Sequence, residues 1–353
     1  MPVSAATVHF GAMTSIDPAP RRILVIHVSR IGDTLLATPA LRAIAAAWPE
    51  ARITVLGHPK RVEILRHLPF VHEVGAITKQ RALVRGWLGK RYDLAFVYGF
   101  DKPLVAYGLR VARRTVAFCQ DDAALNARLF RAVEPAPFQS EHAVLQLLRL
   151  PKALGIPPAG LRLAYQVTVA ETTAARERLA AAACGEAHPL IGLQVASFPT
   201  KAYRDWPVEH FATLCDRIVG RWPGCRFLIF GGNEERTRTD WLQQRLGNRA
   251  ACFAGRLSLR ETVALMSLLD LYVGVDTGPT HLMSTFDIPL VGLYHGSSRC
   301  ELIGPLDHPS LYAVDHPRAG PECSPEVPMA EISVDTVFAR VAQALDEHPP
   351  RGP

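Results

Sequence analysis

The feature that most narrows the fold is an alternation. A short β-rich apolar run is followed by a longer stretch with helical periodicity, then by another apolar run, and the pattern occurs in two separate series. "ILVIHV" (23–28) opens the first and leads, after "SRIGD", into "TLLATPALRAIAAAW"; "RITVLG" (52–57) and "YDLAFVYG" (92–99) continue it. The second begins at "LIGLQV" (190–195) and passes through "PVEHFATLCDRIVGRW", "RFLIFGG" (226–232), a helix near 235–246, "SLRETVALMSLL", "LYVGV" and "IPLVGLY" (288–294). Apolar runs without polar alternation, separated by helices, are strands buried on both faces, which means parallel sheets covered by helices on either side. The expected class is α/β, with two Rossmann-like domains. The length agrees: 353 residues exceed what one core usually sustains, roughly 250–300. The expected division is a flexible tail over 1–20, a first domain over 21–170, a second over 171–330, and a C-terminal helix and tail over 331–353 packing back on the first domain. The junction is expected near the Ala-rich helix within 165–189, and "ISVDTVFARVAQALDEH" is the last helix.

Charge divides the chain where the pattern does. Residues 1–165 hold 22 Lys and Arg against 11 Asp and Glu, and the remainder 17 against 22. Between Arg52 and Arg114 there are 13 basic and 4 acidic residues, in "HPKR", "KQRALVRGWLGKR" and "LRVARR". A basic half suits an anionic partner: nucleic acid, a phosphorylated glycan or an anionic membrane surface. The plainer alternative is a solvated Arg-rich face. No basic helix with interleaved aromatics is visible, so nucleic acid is not expected. No apolar run approaches the roughly 20 residues of a membrane span, and the first twenty residues do not read as a secretory signal. Seven scattered cysteines without a C-x-x-C pair argue against a zinc site or disulfide framework and for a reducing compartment.

In parallel α/β sheets ligands bind beyond the carboxyl ends of the strands, which selects four loops. In "SRIGD" (29–33), Asp33 is either a helix N-cap or a general base. "ASFPTKAYRDWP" (196–207) offers Ser197, Thr200, Lys201 and Arg204 to phosphate oxygens, with Pro207 suited to the first turn of a helix. "FGGNEE" (230–235) combines two glycines with Glu234 and Glu235, either of which can accept hydrogen bonds from a sugar. In "VGVDTGPTHL" (273–282), Asp276 is placed to cap a helix, while Thr277, Gly278 and Thr280 present amides and hydroxyls at its positive end, a natural diphosphate site. His281, one turn in, is either a further donor or a core histidine.

With "RRILVIHVSRIGDTLLATPALRAIAAAWPEARITVLGHP" at one end and "GRLSLRETVALMSLLDLYVGVDTGPTHLMSTFDIPLVGLYHGSS" at the other, the sequence resembles the ADP-heptose:lipopolysaccharide heptosyltransferases of glycosyltransferase family 9, over about residues 21–346. The resemblance implies a GT-B fold whose two Rossmann-like domains face a cleft, with a nucleotide-sugar donor on the second domain and the acceptor on the first, and metal-independent inverting transfer without a cofactor. It implies Asp33 as base; Asp276, Thr277, Gly278, Pro279, Thr280 and His281 around the donor diphosphate, with Ser197 and Thr200 beside them; and Glu234 or Glu235 toward the donor ribose. Arg30, Gly32, Lys60 and Arg61 fall on the acceptor side. Where the family commonly has a Lys two residues before Trp-Pro this chain has Arg204, with Lys201 three residues earlier, so either cation is a candidate for the departing phosphate. Only Cys300 and Cys323 remain of the cysteine cluster many relatives carry near the C-terminus. The expected reaction moves heptose from ADP-heptose to an anionic lipid-linked Kdo/heptose inner-core acceptor, in the cytoplasm, peripherally on the inner face of the bacterial inner membrane. The rivals are another nucleotide sugar, an O-antigen or capsule acceptor, or a glycan-binding protein without turnover.

Overall fold

The computed structural model describes residues 16–320 and 322–350. Most of the expected N-terminal tail and the end of the C-terminal one lie outside them. The chain separates into two compact units: one ends at Leu161, and the other takes Arg162 onward together with Ile31–Leu35.

In chain order the first series contains β1 (Arg22–His27), α1 (Ile31–Leu36), α2 (Thr38–Ala47), β2 (Arg52–Gly57), β3 (Glu73–Ala76), α3 (Lys79–Val84), β4 (Tyr92–Val97), α4 (Lys102–Val111), β5 (Ala112–Phe118), α5 (Ala123–Asn126), β6 (Arg131–Val133) and α6 (Ala143–Lys152). Its strands form one six-stranded sheet in the order β3-β2-β1-β4-β5-β6, parallel throughout. β1 is central and, after its first residue, wholly buried. Leu24 and Ile26 pack with Ala95 and Val97 against Leu104, Val105 and Val111 of α4. The single helix expected after "SRIGD" is two helices. Pro39 falls at the amino end of α2, and a proline in the middle of a continuous helix would remove one of its hydrogen bonds and clash with the turn before it.

The second series runs α7 (Val169–Ala181), β7 (Leu190–Gln194), α8 (Val208–Arg221), β8 (Arg226–Phe230), α9 (Arg236–Leu246), β9 (Ala250–Cys252), α10 (Leu259–Met266), β10 (Leu271–Val275), α11 (Gly278–Met283), β11 (Leu290–Tyr294), α12 (Cys300–Ile303), β12 (Leu311–Asp315) and α13 (Val334–Glu347). Its sheet has the order β12-β11-β10-β7-β8-β9, again parallel. Counted from the first strand of each unit, both sheets have the 3-2-1-4-5-6 order of a dinucleotide-binding domain, whose ligand crevice opens where the strand order reverses. In the first unit that is between β1 and β4, and in the second between β7 and β10.

Two differences from expectation concern the second unit. It begins ahead of the 170/171 boundary because the Tyr165–Gln166 segment is already bound to α10: Arg260 donates to the Gln166 carbonyl at 2.9 Å and lies 5.0 Å over the Tyr165 ring. The last helix, expected to pack back on the first domain, is part of the second unit's own core. Val337, Val341, Ala344 and Leu345 of α13 enter the same core as Leu214 and Ile218 of α8 and Val273 of β10, and Arg217 and Arg221 of α8 pair with Asp335 and Asp346. Its apolar stripe is satisfied by the sheet it follows.

Glycines shape the centre of this sheet. A Cβ on Gly274 would stand 2.7 Å from Tyr272 Cε1, and one on Gly292 would stand 2.8 Å from Tyr294 Cε2. Each tyrosine ring therefore lies along its own strand over a glycine two residues away, the one after Tyr272 and the one before Tyr294. That lets the buried Tyr272 hydroxyl reach Thr280 Oγ1 at 3.0 Å, anchoring α11 to the strand before it.

Candidate active site

The loops following β7 and β10 flank the switch point of the second unit. After β7, the Ser197 amide donates to Asp205 Oδ1 at 2.6 Å, and its hydroxyl lies 2.7 Å from both Asp205 Oδ1 and the Lys201 carbonyl. Asp205 is also paired with Arg238, and Trp206 Nε1 donates to the Ile332 carbonyl at 2.9 Å. The loop is thus closed on itself and pinned behind. Ser197, expected to offer its hydroxyl to a phosphate, instead uses it inside the loop. Thr200 is exposed at the loop's surface. Pro207 is the N-cap of α8, one position ahead of the expected first turn.

From this frame Arg204 reaches Asp276. Nη1 to Oδ2 is 2.7 Å, with the arginine side chain 19% and the aspartate 2% exposed. Ser298 Oγ donates to the same carboxylate oxygen at 3.1 Å, and His281 Nε2 lies 3.5 Å from Oδ1. Burial raises the Asp276 pKa, but His281, Arg204 and Ser298 outweigh it and hold the carboxyl below its usual range. Asp276 is therefore an ionised, enclosed partner that fixes the arginine. It is not the helix cap: α11 starts at Gly278 with Thr277 as N-cap, and Pro279 is in its first turn. The expected cap is one residue early because Asp276 turns inward to the cation. Thr280 Oγ1 donates to the Val275 carbonyl at 2.6 Å, so this hydroxyl too is used to hold the turn. The amides of a helix's first turn have no intrahelical acceptor, and Gly278 is the first residue of α11.

Tyr203 is a residue that sequence reasoning missed. Its hydroxyl accepts from Arg204 Nε at 3.3 Å and from Lys201 Nζ at 3.4 Å. Burial pushes the phenol up, but the two cations prevail and hold it below its ordinary value. Its ring meets His295 edge-on at 5.0 Å; His295 in turn contacts Ser297 Oγ and the Val327 carbonyl. An aromatic between two cations in "KAYR" was the available signal. Lys201 and Arg204 are thus joined through one oxygen.

The two glutamates separate. Glu235 Oε2 accepts the Gly232 amide, and burial raises its pKa overall; Glu234 is exposed. Asp33 is not an N-cap but the third residue of α1, half-buried. The Ile31–Leu35 segment is part of the second unit, where a Cβ on Gly32 would stand 2.7 Å from His281 Cδ2 and one on Gly278 3.1 Å from Ile31 Cβ. The first and fourth predicted loops are therefore in contact, 240-odd positions apart in the chain but adjacent within one unit. Arg30, Lys60 and Arg61 belong to the first unit. Arg30 and Lys60 are exposed, and Arg61 Nη1 donates to the Ser29 carbonyl at 3.3 Å, tying the loop after β2 to that after β1. Among the described residues no three His, Cys, Asp or Glu gather into a metal-holding group.

Two doubly wound units, each built on a parallel six-stranded sheet, define the class as α/β. Solved structures agree on the fold. A glycosyl transferase family 9 protein from Veillonella parvula superposes with a TM-score of 0.80 at 20% identity, covering 93% of this chain and 98% of that one. The Escherichia coli ADP-heptose lipopolysaccharide heptosyltransferase II does so at 0.74 and 20%, covering 92% and 99%, and the Escherichia coli heptosyltransferase WaaC with ADP at 0.68 and 18%, covering 92% and 99%. The architecture is GT-B. In sequence, lipopolysaccharide heptosyltransferase 2 of Salmonella typhimurium is 26% identical over 314 residues, 81% of this chain and 86% of the relative. Glycosyltransferase family 9 (heptosyltransferase) matches residues 91–331, and the chain belongs to that family. It is a glycosyltransferase.

Proposed function

We propose that the protein transfers a heptose from ADP-heptose to an anionic inner-core lipopolysaccharide acceptor, with inversion at the anomeric carbon. The observation that carries this reading is the Arg204–Asp276 pair at the β7/β10 switch point, where a fixed cation meets a departing diphosphate. Support for the donor comes from the relative whose structure contains ADP. The acceptor hydroxyl oxygen bonds to the anomeric carbon as the bond from that carbon to the β-phosphate oxygen breaks; the hydroxyl proton passes to the Asp33 carboxylate, and ADP leaves with the bonding electrons. Arg204 and Lys201, with the Gly278 amide, offset the charge growing on the phosphate. Thr277, Pro279, Thr280 and His281 hold that corner in shape, Ser197 and Thr200 belong to the loop that presents the cations, and Glu234 is assigned to the ribose. The charge work falls to side chains, so no metal ion is required. Arg30, Lys60 and Arg61 of the basic first unit serve the acceptor, which is lipid-linked and met at the inner face of the inner membrane. No helix among the described residues is long and apolar enough to cross a membrane.

The test is calorimetric titration with ADP, GDP and UDP without divalent metal. ADP binding that is lost in Asp276→Ala is the expected result. Preference for UDP or GDP would overturn heptosyl transfer, and turnover unchanged in Asp33→Ala would overturn the base.

A further inference from the structure

One stretch of the first unit is not accounted for by transfer chemistry. Residues 79–91, "KQRALVRGWLGKR", contain five basic residues and no acidic one. Within α3 the buried residue is Ala82. Leu83 and Val84 are exposed, as are Trp87, at 73%, and Leu88, at 86%. Single exposed apolar residues are ordinary on a protein surface, but a contiguous apolar group with a polar rim marks an interaction site.

The display is built rather than frayed. Arg110 of α4 donates to the carbonyls of Ala82 and Arg85, and its guanidinium lies 4.8 Å over the Trp87 ring. Gly86 and Gly89 adopt φ of +89° and +90°, a region that residues with side chains rarely enter. A Cβ on Gly86 would stand 2.8 Å from Val111 Cγ1. Around the apolar tip, Lys79 is paired with Asp101, while Arg81, Arg85, Lys90 and Arg91 are exposed and form no ion pair among the described residues. Tryptophan at headgroup depth, aliphatic side chains below it and cations against lipid phosphates are what an anionic bilayer surface accommodates.

We propose that Leu83, Trp87 and Leu88, ringed by Arg85, Lys90 and Arg91, are the surface by which the first unit docks on an anionic phospholipid bilayer. The inference rests on the reading of a lipid-linked acceptor and names the element that brings the enzyme to it. The full chain is sedimented with phosphatidylcholine vesicles, with and without phosphatidylglycerol, and ADP binding is measured separately. Binding to the anionic vesicles, weakened by salt, is expected. Trp87→Ser with Leu88→Ser should lower the partition constant at least about tenfold, and Lys90→Ala or Arg91→Ala about fivefold each, all with ADP affinity unchanged. A parent protein that stays in the supernatant overturns the proposal, as do variants that partition like the parent. Concentration-dependent self-association abolished by Trp87→Ser would overturn it too, by assigning the patch to a second copy of the chain. Vesicle binding retained without ADP binding would instead refute the donor reading alone.

Discussion

Arg204→Ala isolates the buried pair. It leaves Asp276, 2% exposed, without its cation. Stranding one member of a buried pair costs about 3–5 kcal/mol. Arg204 is itself about a fifth open to solvent, and Ser298 and His281 still contact the carboxylate, so the lower end applies, about 3 kcal/mol. In domains of about 150–250 residues each 1 kcal/mol moves the thermal midpoint by about 2–4 °C, so the second unit should melt about 6–12 °C lower. Asp276→Asn in the Arg204→Ala background removes the stranded charge and should recover more than about half of the loss, a coupling well above the roughly 0.5 kcal/mol within which independent sites add. ADP affinity should follow the same order, lowest in Arg204→Ala, where the cation is lost and the buried Asp276 charge is left unneutralised. The sign of the pH dependence is fixed. The native Asp276 carboxyl is depressed, so the pair's contribution is present above the usual aspartate range and is lost as pH falls through the native value. The gap between parent and Arg204→Ala should therefore be widest near neutrality and close on acidification below about pH 4. Scanning calorimetry of the four proteins of the cycle is the assay. A midpoint for Arg204→Ala within about 2 °C of the parent, or strict additivity in the cycle, would refute the reasoning.

Asp33→Asn should lower turnover by about 10²–10⁴ in a coupled ADP-release assay and leave ADP affinity by calorimetry intact; equal losses in both would make it a folding residue. Glu235→Ala should destabilise the protein by about 1 kcal/mol in urea titration, since it removes the acceptor of the Gly232 amide, whereas Glu234→Ala should leave stability unchanged and weaken ADP about tenfold. The reverse pattern would exchange their assignments. Gly274→Ala puts a methyl 2.7 Å from the Tyr272 ring. It should cost about 1–3 kcal/mol and weaken ADP binding in step, because that ring holds Thr280; a neutral result would mean the ring is free to move.

The central strands were legible because burial on both faces writes an uninterrupted apolar run, as in "ILVIHV" and "LYVGV". The edges were not. Glu73–Ala76, Arg131–Val133 and Ala250–Cys252 are strands of three or four residues, too short to stand out as apolar runs. Ala112–Phe118 carries an arginine pair directly after its first residue, which reads as part of a basic cluster. Leu311–Asp315 follows a Pro- and Gly-containing stretch and alternates buried with part-exposed residues. At the site, the loops were found from where strands end, but partners were not. Arg204 and Asp276 are 72 positions apart, and only the adjacency of β7 and β10 brings them together. The same inward turn of Asp276 explains the misplaced cap, and the internal bonds of Ser197 show a hydroxyl serving its own loop where composition suggested a ligand.

The core of the second unit includes Val337, Val341, Ala344 and Leu345, while the same unit also claims Ile31–Leu35. On the ribosome these pieces emerge at opposite ends of synthesis. Domains generally fold as units, the N-terminal one first, so the sheet of the first unit can close around β1 while translation continues. The second must wait until residues beyond 345 have left the exit tunnel, with Leu193, Phe227 and Val273 exposed meanwhile. A stop codon ahead of α13 would therefore release a chain whose second unit has an open hydrophobic face, a substrate for chaperones and proteases instead of a shortened enzyme.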